Sequence, residues 1–310
     1  MPNANFDTLL STTLNNYRPT LEDNVFTGRP LVNKLAAKDR VQMKSGGAKI
    51  VIPLLTGSNT TAGSYSGYDT LAITAQTGIT SAEFPWKQYA VSVAINGLEE
   101  AQNDGEAAII DLLQSKIEQA EETIKEQWDA MFFLDGTGNA GKDWLGLAAV
   151  VSTTSVLGNI DPAVDLYWKG TVKTVVTVRS DDDWANTYNT ASKGNDHPDF
   201  GITTQALYEH YEASLAPGLR FSSNDEADGR FQNLLFKGVP LFFDSYCQAG
   251  VTYFLNTRYM ALVGHSKNWF RATPFKVAPD KDARYSQIIC YGNLVVSNRS
   301  RQAKITGQTV

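Results

Sequence analysis

Apolar side chains recur at steps of three and four positions between residues 110 and 131, and this pattern constrains the 310-residue chain more than any other. Such spacing places all of these side chains on one face of an α-helix. Asn103 or Asp104 supplies an N-cap and Gly136 a stop, so the sequence predicts a helix over residues 103–134, roughly 45–50 Å long. The members of the stripe are Ile110, Leu113, Ile117, Ala120, Ile124, Trp128 and Met131.

The predicted helix is also strongly acidic. Residues 103–134 contain eight Asp or Glu and two Lys, a net charge of −6 that equals the net charge of the whole chain. A protein that wraps nucleic acid by neutralising phosphates is normally basic, so the charge disfavours that role. We expect the helix to pair instead with basic residues of the N-terminal segment, such as Arg18, Arg29 or Lys34.

Residues 57–83 form a second unusual segment, between strand patterns at 48–55 and 84–95. Gly, Ser, Thr and Ala make up 18 of its 27 residues, and it contains no Lys or Arg. Apolar side chains alternate within it at Leu71, Ile73, Ala75 and Ile79, which predicts that part of it is strand. Because an isolated hairpin is marginal in water, we expect this long excursion to pack on a neighbour.

The second half of the chain is rich in strand patterns separated by turn residues. One helix is predicted at Thr203–Leu215, and residues 180–201 and 222–230 are predicted to be polar loops. The whole chain is therefore predicted to be α+β, with more strand than helix. The predicted strands are Thr171–Val178, Val239–Phe243, Val251–Asn256, Tyr259–Val263, Gln287–Tyr291 and Leu294–Ser297.

A glycine-rich segment, Gly136–Lys142, satisfies GxGxxG and nearly satisfies the phosphate-binding pattern GxxxxGK[ST]. A phosphate-binding loop needs a strand before it and a hydroxyl after the lysine. Here a helix precedes the segment and Asp143 replaces the hydroxyl, so a turn that caps the helix is the favoured interpretation. A nucleotide-binding enzyme that uses Gly136–Lys142 remains a lesser alternative.

Other candidates for chemistry are weak. Clustered aspartates could bind Ca²⁺, but they lack the spacing of a calcium loop and are better explained as solvated charge. The histidines lie in no catalytic motif, the two cysteines are expected to be buried thiols, and the six tryptophans are expected in the core or at subunit contacts. We therefore predict no catalytic, cofactor-binding or metal-binding residue. The residues weighed are Asp181, Asp182, Asp183, Asp196, Asp199, Asp225 and Asp228; His197, His210 and His265; Cys247 and Cys290; and Trp86, Trp128, Trp144, Trp168, Trp184 and Trp269.

The sequence gives no indication of a membrane or secretory location. No apolar run approaches the ~20 residues that span a bilayer, and residues 1–7 lack the basic and apolar regions of a signal peptide. With two cysteines only, a reducing cytoplasm is the expected compartment.

The order of these features resembles the major capsid proteins of tailed bacteriophages with the Hong Kong 97 fold, over nearly the full length. Three local phrases are also similar to that family: Phe236-Lys-Gly238-Val-Pro240-Leu-Phe-Phe-Asp244, Tyr253-Phe-Leu-Asn256-Thr and Gly292-Asn-Leu-Val-Val-Ser-Asn298. The resemblance implies an N-terminal arm (1–47), an extended β-hairpin loop with its root strands (48–95), a peripheral domain with a spine helix (96–150), a β-rich axial domain (151–275) and a return to the peripheral domain (276–310).

The resemblance implies a non-enzymatic shell protein of the virion, assembled in the cytoplasm of a bacterial host. It would form hexamers and pentamers with copies of itself and enclose double-stranded DNA through weak, non-specific contact. The expected partners are a separate scaffolding protein, a portal and decoration proteins. An encapsulin-like nanocompartment shell, which has the same fold, stays open, as does an adhesin or tail component. Some relatives cross-link through a loop lysine, but residues 50–86 contain none, so we predict no cross-linking.

Overall fold

The computed structural model describes residues 29–36, 40–102, 112–215, 234–279 and 281–310. The helices are α1 (Pro30–Leu35), α2 (Gly97–Gln102), α3 (Leu112–Phe132), α4 (Leu147–Val150), α5 (Asp181–Ala191) and α6 (Gln205–Ser214). The strands are β1 (Val41–Lys44), β2 (Lys49–Leu55), β3 (Ile79–Pro85), β4 (Lys87–Asn96), β5 (Thr171–Thr174), β6 (Phe200–Thr203), β7 (Leu234–Phe236), β8 (Val239–Phe243), β9 (Thr252–Leu255), β10 (Met260–His265), β11 (Arg271–Ala272), β12 (Lys276–Val277), β13 (Ala283–Val296) and β14 (Ala303–Thr306). Single 3₁₀ turns lie at Leu166–Trp168, Thr257–Tyr259 and Arg299–Arg301.

The first sheet is organised around the long strand β13. On one side β13 pairs antiparallel with β4, where Ile288 lies opposite Val91 and Cys290 opposite Tyr89. On its other side it pairs with β10, β11 and β12, and β1 adds to β10 in parallel. The sequence predicted two strands here, Gln287–Tyr291 and Leu294–Ser297. The structure has one continuous strand, because Gly292 stays in the ladder opposite Gly264 and Lys87.

The long helix α3 packs on β4. Its apolar stripe faces the core as predicted: Ala120, Ile124, Trp128 and Met131 are at most 7% exposed. The helix ends at Phe132, and Gly136 follows with φ +77°, a left-handed conformation that favours glycine. A Cβ on Gly136 would also lie only 3.0 Å from the carbonyl oxygen of Trp144. Residues 103–111, the predicted beginning of this helix, lie outside the described residues.

Aromatic rings fill the space between α3 and the first sheet. The ring of Trp128 lies 4.7 Å from that of Trp144, 5.3 Å from that of Phe270 and 5.6 Å from that of Trp269, centroid to centroid. Gly292 leaves room for this cluster, since a Cβ there would meet the side chain of Trp144 and lie 2.5 Å from the carbonyl of Val263. Four of the six tryptophans are at most 2% exposed and two are half-buried, which confirms that they belong mainly to the core.

The second sheet has the strand order β5-β14-β9-β6-β8-β7. Helices α5 and α6 cover it through a separate aromatic core in which Trp184 meets Tyr211, Phe236 and Phe254. The prediction of a polar loop over residues 180–201 is therefore wrong, because α5 and the first two residues of β6 lie within it. Helix α6 confirms the predicted helix at Thr203–Leu215, with shorter bounds.

Val239–Phe243 is a strand with its predicted ends. Other predicted strands are confirmed with shifted ends, except that only Thr171–Thr174 of the predicted 171–178 is strand. The predicted domain limits stay predictions. Strand pairing joins Met260–His265 to the first sheet and Ala303–Thr306 to the second.

Candidate functional site

Residues 57–78 form a long loop that leaves the body of the protein between β2 and β3. The two strands pair antiparallel from Lys49 opposite Pro85 to Leu55 opposite Ile79. Beyond them the Thr56 N–H donates to the Gly78 carbonyl at 2.8 Å. The root strands are confirmed. The prediction that part of residues 57–83 is strand holds for residues 79–83, which belong to β3, whereas Leu71, Ile73 and Ala75 lie in no strand. We call residues 57–78 the projecting loop.

The root of the projecting loop is fixed to the body. Ile50, Ala82 and Phe84 are at most 1% exposed and belong to the main core. The N–H of Glu83 donates to the carbonyl of Gly158 at 3.0 Å, and the side chain of Asn159 donates to the Glu83 carboxylate at 2.9 Å. The loop therefore leaves from an ordered base.

The projecting loop itself presents apolar side chains to the outside. Its internal contacts are polar and local, such as the bonds from Thr60 to the Gln76 side chain at 3.1 and 3.2 Å. An apolar surface without cover from its own chain is typical of a contact with another molecule. The exposed apolar side chains of the loop and of the two strand ends that border it are Leu55, Tyr65, Tyr68, Leu71, Ile73 and Ile79, between 58% and 106% exposed.

The second candidate region is the contact between the N-terminal segment and α3. The guanidinium of Arg29 forms an ion pair with the carboxylate of Glu122 at 2.7 Å, and Lys125 pairs with the same carboxylate. These cations lower the pKa of Glu122 against the opposing effect of burial. The predicted pairing of the acidic helix with Arg29 is thus confirmed. Arg18 lies outside the described residues, and the pairing of Lys34 stays a prediction.

The C-terminal part of α3 is joined to the turn that follows β8. The hydroxyl of Tyr246 donates to the Glu126 carboxylate at 2.7 Å, and the side chain of Gln248 donates to the carbonyl of Phe133. Between these two bonds the carboxyl groups of Asp129 and Asp244 meet. Sequence analysis did not single out either aspartate, and we call these contacts the helix–turn joint.

The two carboxyl groups are deeply buried, with Asp129 1% and Asp244 4% exposed. Burial, followed by the charge of Asp244, raises the pKa of Asp129 to about 8. Burial also raises the pKa of Asp244, against the hydrogen bond from the backbone N–H of Tyr246. At neutral pH the pair therefore carries a proton.

The glycine-rich segment Gly136–Lys142 is a tight turn, as predicted. Asn139 and Ala140 have positive φ, and the N–H groups of Gly141, Lys142 and Asp143 donate to carbonyls within the turn. The Asp143 carboxylate lies against Gly138, where a phosphate would be repelled. The geometry gives no phosphate cradle.

The aspartates singled out from the sequence are engaged in structural contacts. Asp181 and Asp183 in the first turn of α5 pair with Arg179 at 2.5 Å and Lys173 at 2.6 Å, and Asp182 is exposed. Asp196 accepts from Tyr259 at 2.7 Å, and Asp199 accepts from Thr257 at 2.6 and 2.7 Å. Asp225 and Asp228 lie outside the described residues. Among the residues that the structure describes, no group of three Asp, Glu, His or Cys could hold a metal ion.

The histidines lie at the surface or at the edge of the core. His197 contacts the carbonyl of Pro198 at 3.0 Å, and His265 accepts from the N–H of Lys267 at 3.2 Å. His210 accepts from the Nε of Arg179 at 3.0 Å, which fixes Arg179 over the ring of Trp184.

Both cysteines are buried free thiols, as predicted. Burial raises the pKa of Cys247 and raises that of Cys290 to about 12, so neither is a nucleophile at neutral pH. Among the described helices none is long and apolar enough to cross a membrane.

No sequence model of a known protein family and no curated protein matches the chain. Solved structures do match it over almost its whole length. The capsid asymmetric unit of cyanophage A-1(L) is 15% identical, with a TM-score of 0.71, over 96% of this chain and 98% of that chain. The capsid of a native GTA particle is 10% identical, with a TM-score of 0.63, over 94% and 95%. The holo-SrpI encapsulin complex of Synechococcus elongatus PCC 7942 is 12% identical, with a TM-score of 0.62, over 97% and 95%.

These similarities establish the fold. The chain has the mixed α+β Hong Kong 97 fold found in phage capsid, GTA and encapsulin shell proteins. The fold predicted from the order of sequence features is confirmed.

Proposed function

We propose that this chain is the major capsid protein of a tailed bacteriophage and that its copies assemble into an icosahedral head around double-stranded DNA. The observation that carries the proposal is the fold match to a cyanophage capsid chain over 96% of this chain and 98% of the other. The protein would be structural and not an enzyme, with hexamers and pentamers as its assembly units. It would assemble in the bacterial cytoplasm and reside in the virion.

In this proposal the projecting loop lies on a neighbouring subunit. Its base is ordered while its apolar side chains, such as Tyr68 and Ile73, have no cover from the described part of their own chain. Burying such side chains is worth about 1.5–3 kcal/mol each, so a few of them provide useful assembly energy. The first sheet with α3 would form the peripheral domain, and the second sheet the axial domain.

The charge of the chain supports weak contact with the packaged DNA. At a net charge of −6 few counterions are released on binding, so affinity for phosphate is low. Further partners would be a separate scaffolding protein, a portal and decoration proteins.

An encapsulin-like nanocompartment shell is the second candidate, favoured by the match to the holo-SrpI encapsulin complex at a TM-score of 0.62. The contents of purified particles separate the two. Nuclease-protected double-stranded DNA supports the phage head, and a co-purifying enzyme inside nucleic-acid-free shells supports the nanocompartment.

The loop offers a direct test. Thr56 and Gly78 are already hydrogen-bonded, so replacing residues 57–77 by Asn-Gly closes β2 and β3 with a two-residue turn. We expect this variant to keep the circular dichroism of the wild type, because its core is intact, and to form no regular shells in electron microscopy.

Point variants refine the test. Tyr68→Ser with Ile73→Ser removes two exposed apolar side chains and should weaken assembly, while Ser64→Ala at an exposed polar position of the same loop should leave assembly unchanged. A folded loop-deleted chain that still closes into uniform particles would contradict the proposed role of the loop.

A further inference from the structure

Two carboxyl groups face each other inside the protein, where α3 meets the turn after β8. Asp129 and Asp244 are almost fully buried, and each carboxyl group lies within hydrogen-bonding reach of the other. An ionised carboxylate can only accept hydrogen bonds, so a bond between two carboxyl groups requires a proton on one of them.

Neighbouring donors do not replace that proton. The backbone N–H of Tyr246 donates to Oδ1 of Asp244 at 2.9 Å. Among the described residues, no donor reaches Oδ1 of Asp129 or Oδ2 of Asp244. Removing the proton would therefore leave two buried negative charges in contact, each with one oxygen that accepts no hydrogen bond from a neighbour.

The other charged groups around the pair oppose each other. Arg29 favours ionisation of Asp129, and Glu126 disfavours it. The cation is shared, because Arg29 also forms its ion pair with Glu122 at 2.7 Å. A single guanidinium near several carboxylates does not compensate a second buried charge in the pair.

The remaining titratable groups at the joint stay neutral over the same range. The pKa of the Tyr246 hydroxyl is raised by its bond to Glu126 and by burial. The pKa of the Cys247 thiol is raised by burial and by the charge of Asp244. Neither group supplies a compensating positive charge.

We propose that Asp129 and Asp244 share one proton and form a latch that holds α3 to the turn after β8 at neutral pH and loosens it in alkaline solution. The latch joins the three parts of the chain that meet here: the N-terminal segment at Arg29, α3, and the second sheet at the end of β8. This inference does not rest on the proposed shell function, since it concerns contacts within one subunit.

The sign of the pH dependence follows from the pKa of Asp129, which is about 8 in the folded protein against an ordinary value of 3.8. The folded state holds a proton that the unfolded state releases, so stability falls as pH rises between these values. One proton corresponds to a tenfold fall in the folding equilibrium constant per pH unit, and the fall stops above the folded pKa. The ion-paired carboxylates of Glu83 and Glu122 have lowered pKa values and act in a more acidic range.

The test is denaturant unfolding of the full-length chain from about pH 5 to about pH 9, at a protein concentration that keeps it unassembled. The wild type should lose stability toward alkaline pH. Asp129→Asn and Asp244→Asn each replace a carboxyl group by an amide donor that does not titrate. In each variant the folding equilibrium constant should therefore fall less with pH than in the wild type, where it falls by up to tenfold per pH unit. Glu121→Gln removes a carboxylate from the same helix and should keep the wild-type slope. The proposal is overturned if both asparagine variants keep that slope, or if Glu121→Gln abolishes it.

Infrared difference spectroscopy on the wild type keeps the test independent of variant folding. A protonated buried carboxyl group has a carbonyl stretch that a carboxylate lacks. We expect this band at neutral pH, its loss in alkaline solution, and its absence from folded Asp129→Asn. A wild-type protein without the band at neutral pH would show that no proton is shared.

Discussion

Trp128 is the side chain on which the contact between α3 and the first sheet depends most. It is 2% exposed, and its ring lies within 6.3 Å of four other aromatic rings. Replacement of a buried Trp by Ala costs ~3–5 kcal/mol, since apolar contacts are lost and a cavity remains. The rigid aromatic surroundings cannot collapse into that cavity, so we expect the upper part of this range for Trp128→Ala.

A matched variant separates packing from polarity. Trp128→Phe keeps an aromatic ring and removes the indole N–H, which is buried and has no acceptor among the described residues. Loss of that group carries no hydrogen-bond cost, so Trp128→Phe should lose less than half as much stability as Trp128→Ala.

Scanning calorimetry of the full chain measures both variants. With an unfolding entropy of roughly 2.1 cal/mol/K per residue, a chain of 310 residues loses about 1.5 °C of melting temperature per kcal/mol, so Trp128→Ala should melt about 6–8 °C below the wild type. Wild-type melting of Trp128→Ala would refute the assignment of the apolar stripe to the core.

Three further results are expected. Arg299→Lys should destabilise the chain by about 3 kcal/mol in denaturant unfolding, and unchanged stability would contradict this. The reason is that the buried guanidinium donates hydrogen bonds that an ammonium group cannot all replace. Its acceptors, at 2.8–3.1 Å, are the carbonyls of Val150, Ala149, Ser152 and Ser155. Cys247 and Cys290 should react with a thiol reagent only after unfolding, and rapid labelling of the native protein at neutral pH would contradict their burial. Particles boiled in denaturant should run as one band at 34.0 kDa, because no lysine is placed to cross-link subunits through the loop. Lys49 is held by Glu83 at 2.7 Å and Lys87 by the carbonyl of Gly141, both at the base of the loop. A ladder of covalent oligomers that survives reductant would overturn this prediction.

The helix α3 and the strand β4 could be predicted from sequence because one periodic stripe decides each of them. Ile124, Trp128 and Met131 point to one side at helical spacing, and the alternation of residues 87–96 leaves one face of β4 exposed. In such elements the local hydrophobic pattern and the burial in the folded protein agree, so the pattern alone is sufficient to predict the element.

Helix α5 was missed because its composition is polar. Three aspartates and several Asn and Thr residues suggest a loop, yet Ser180 precedes an acidic first turn that suits a helix N-terminus. Trp184, Tyr188 and Ala191 then form a buried stripe at helical spacing, which was the available signal.

The opposite error occurred in the projecting loop. Leu71, Ile73 and Ala75 alternate as in a strand, but alternation predicts a strand only where a partner provides hydrogen bonds. Residues 57–78 form no ladder with the described part of their own chain.

The pair of Asp129 and Asp244 could not be predicted from sequence. Asp129 lies on a helix with many other acids, and Asp244 ends a strand pattern, so each looks like an ordinary surface charge. Only the packing of α3 against the turn after β8 buries both.

Electron microscopy of the purified full-length protein tests the central claim most directly. A shell protein should form closed shells, tubes or capsomer rings when expressed alone or with a scaffolding protein. A chain that stays monomeric and forms none of these at high concentration under both conditions would contradict the account.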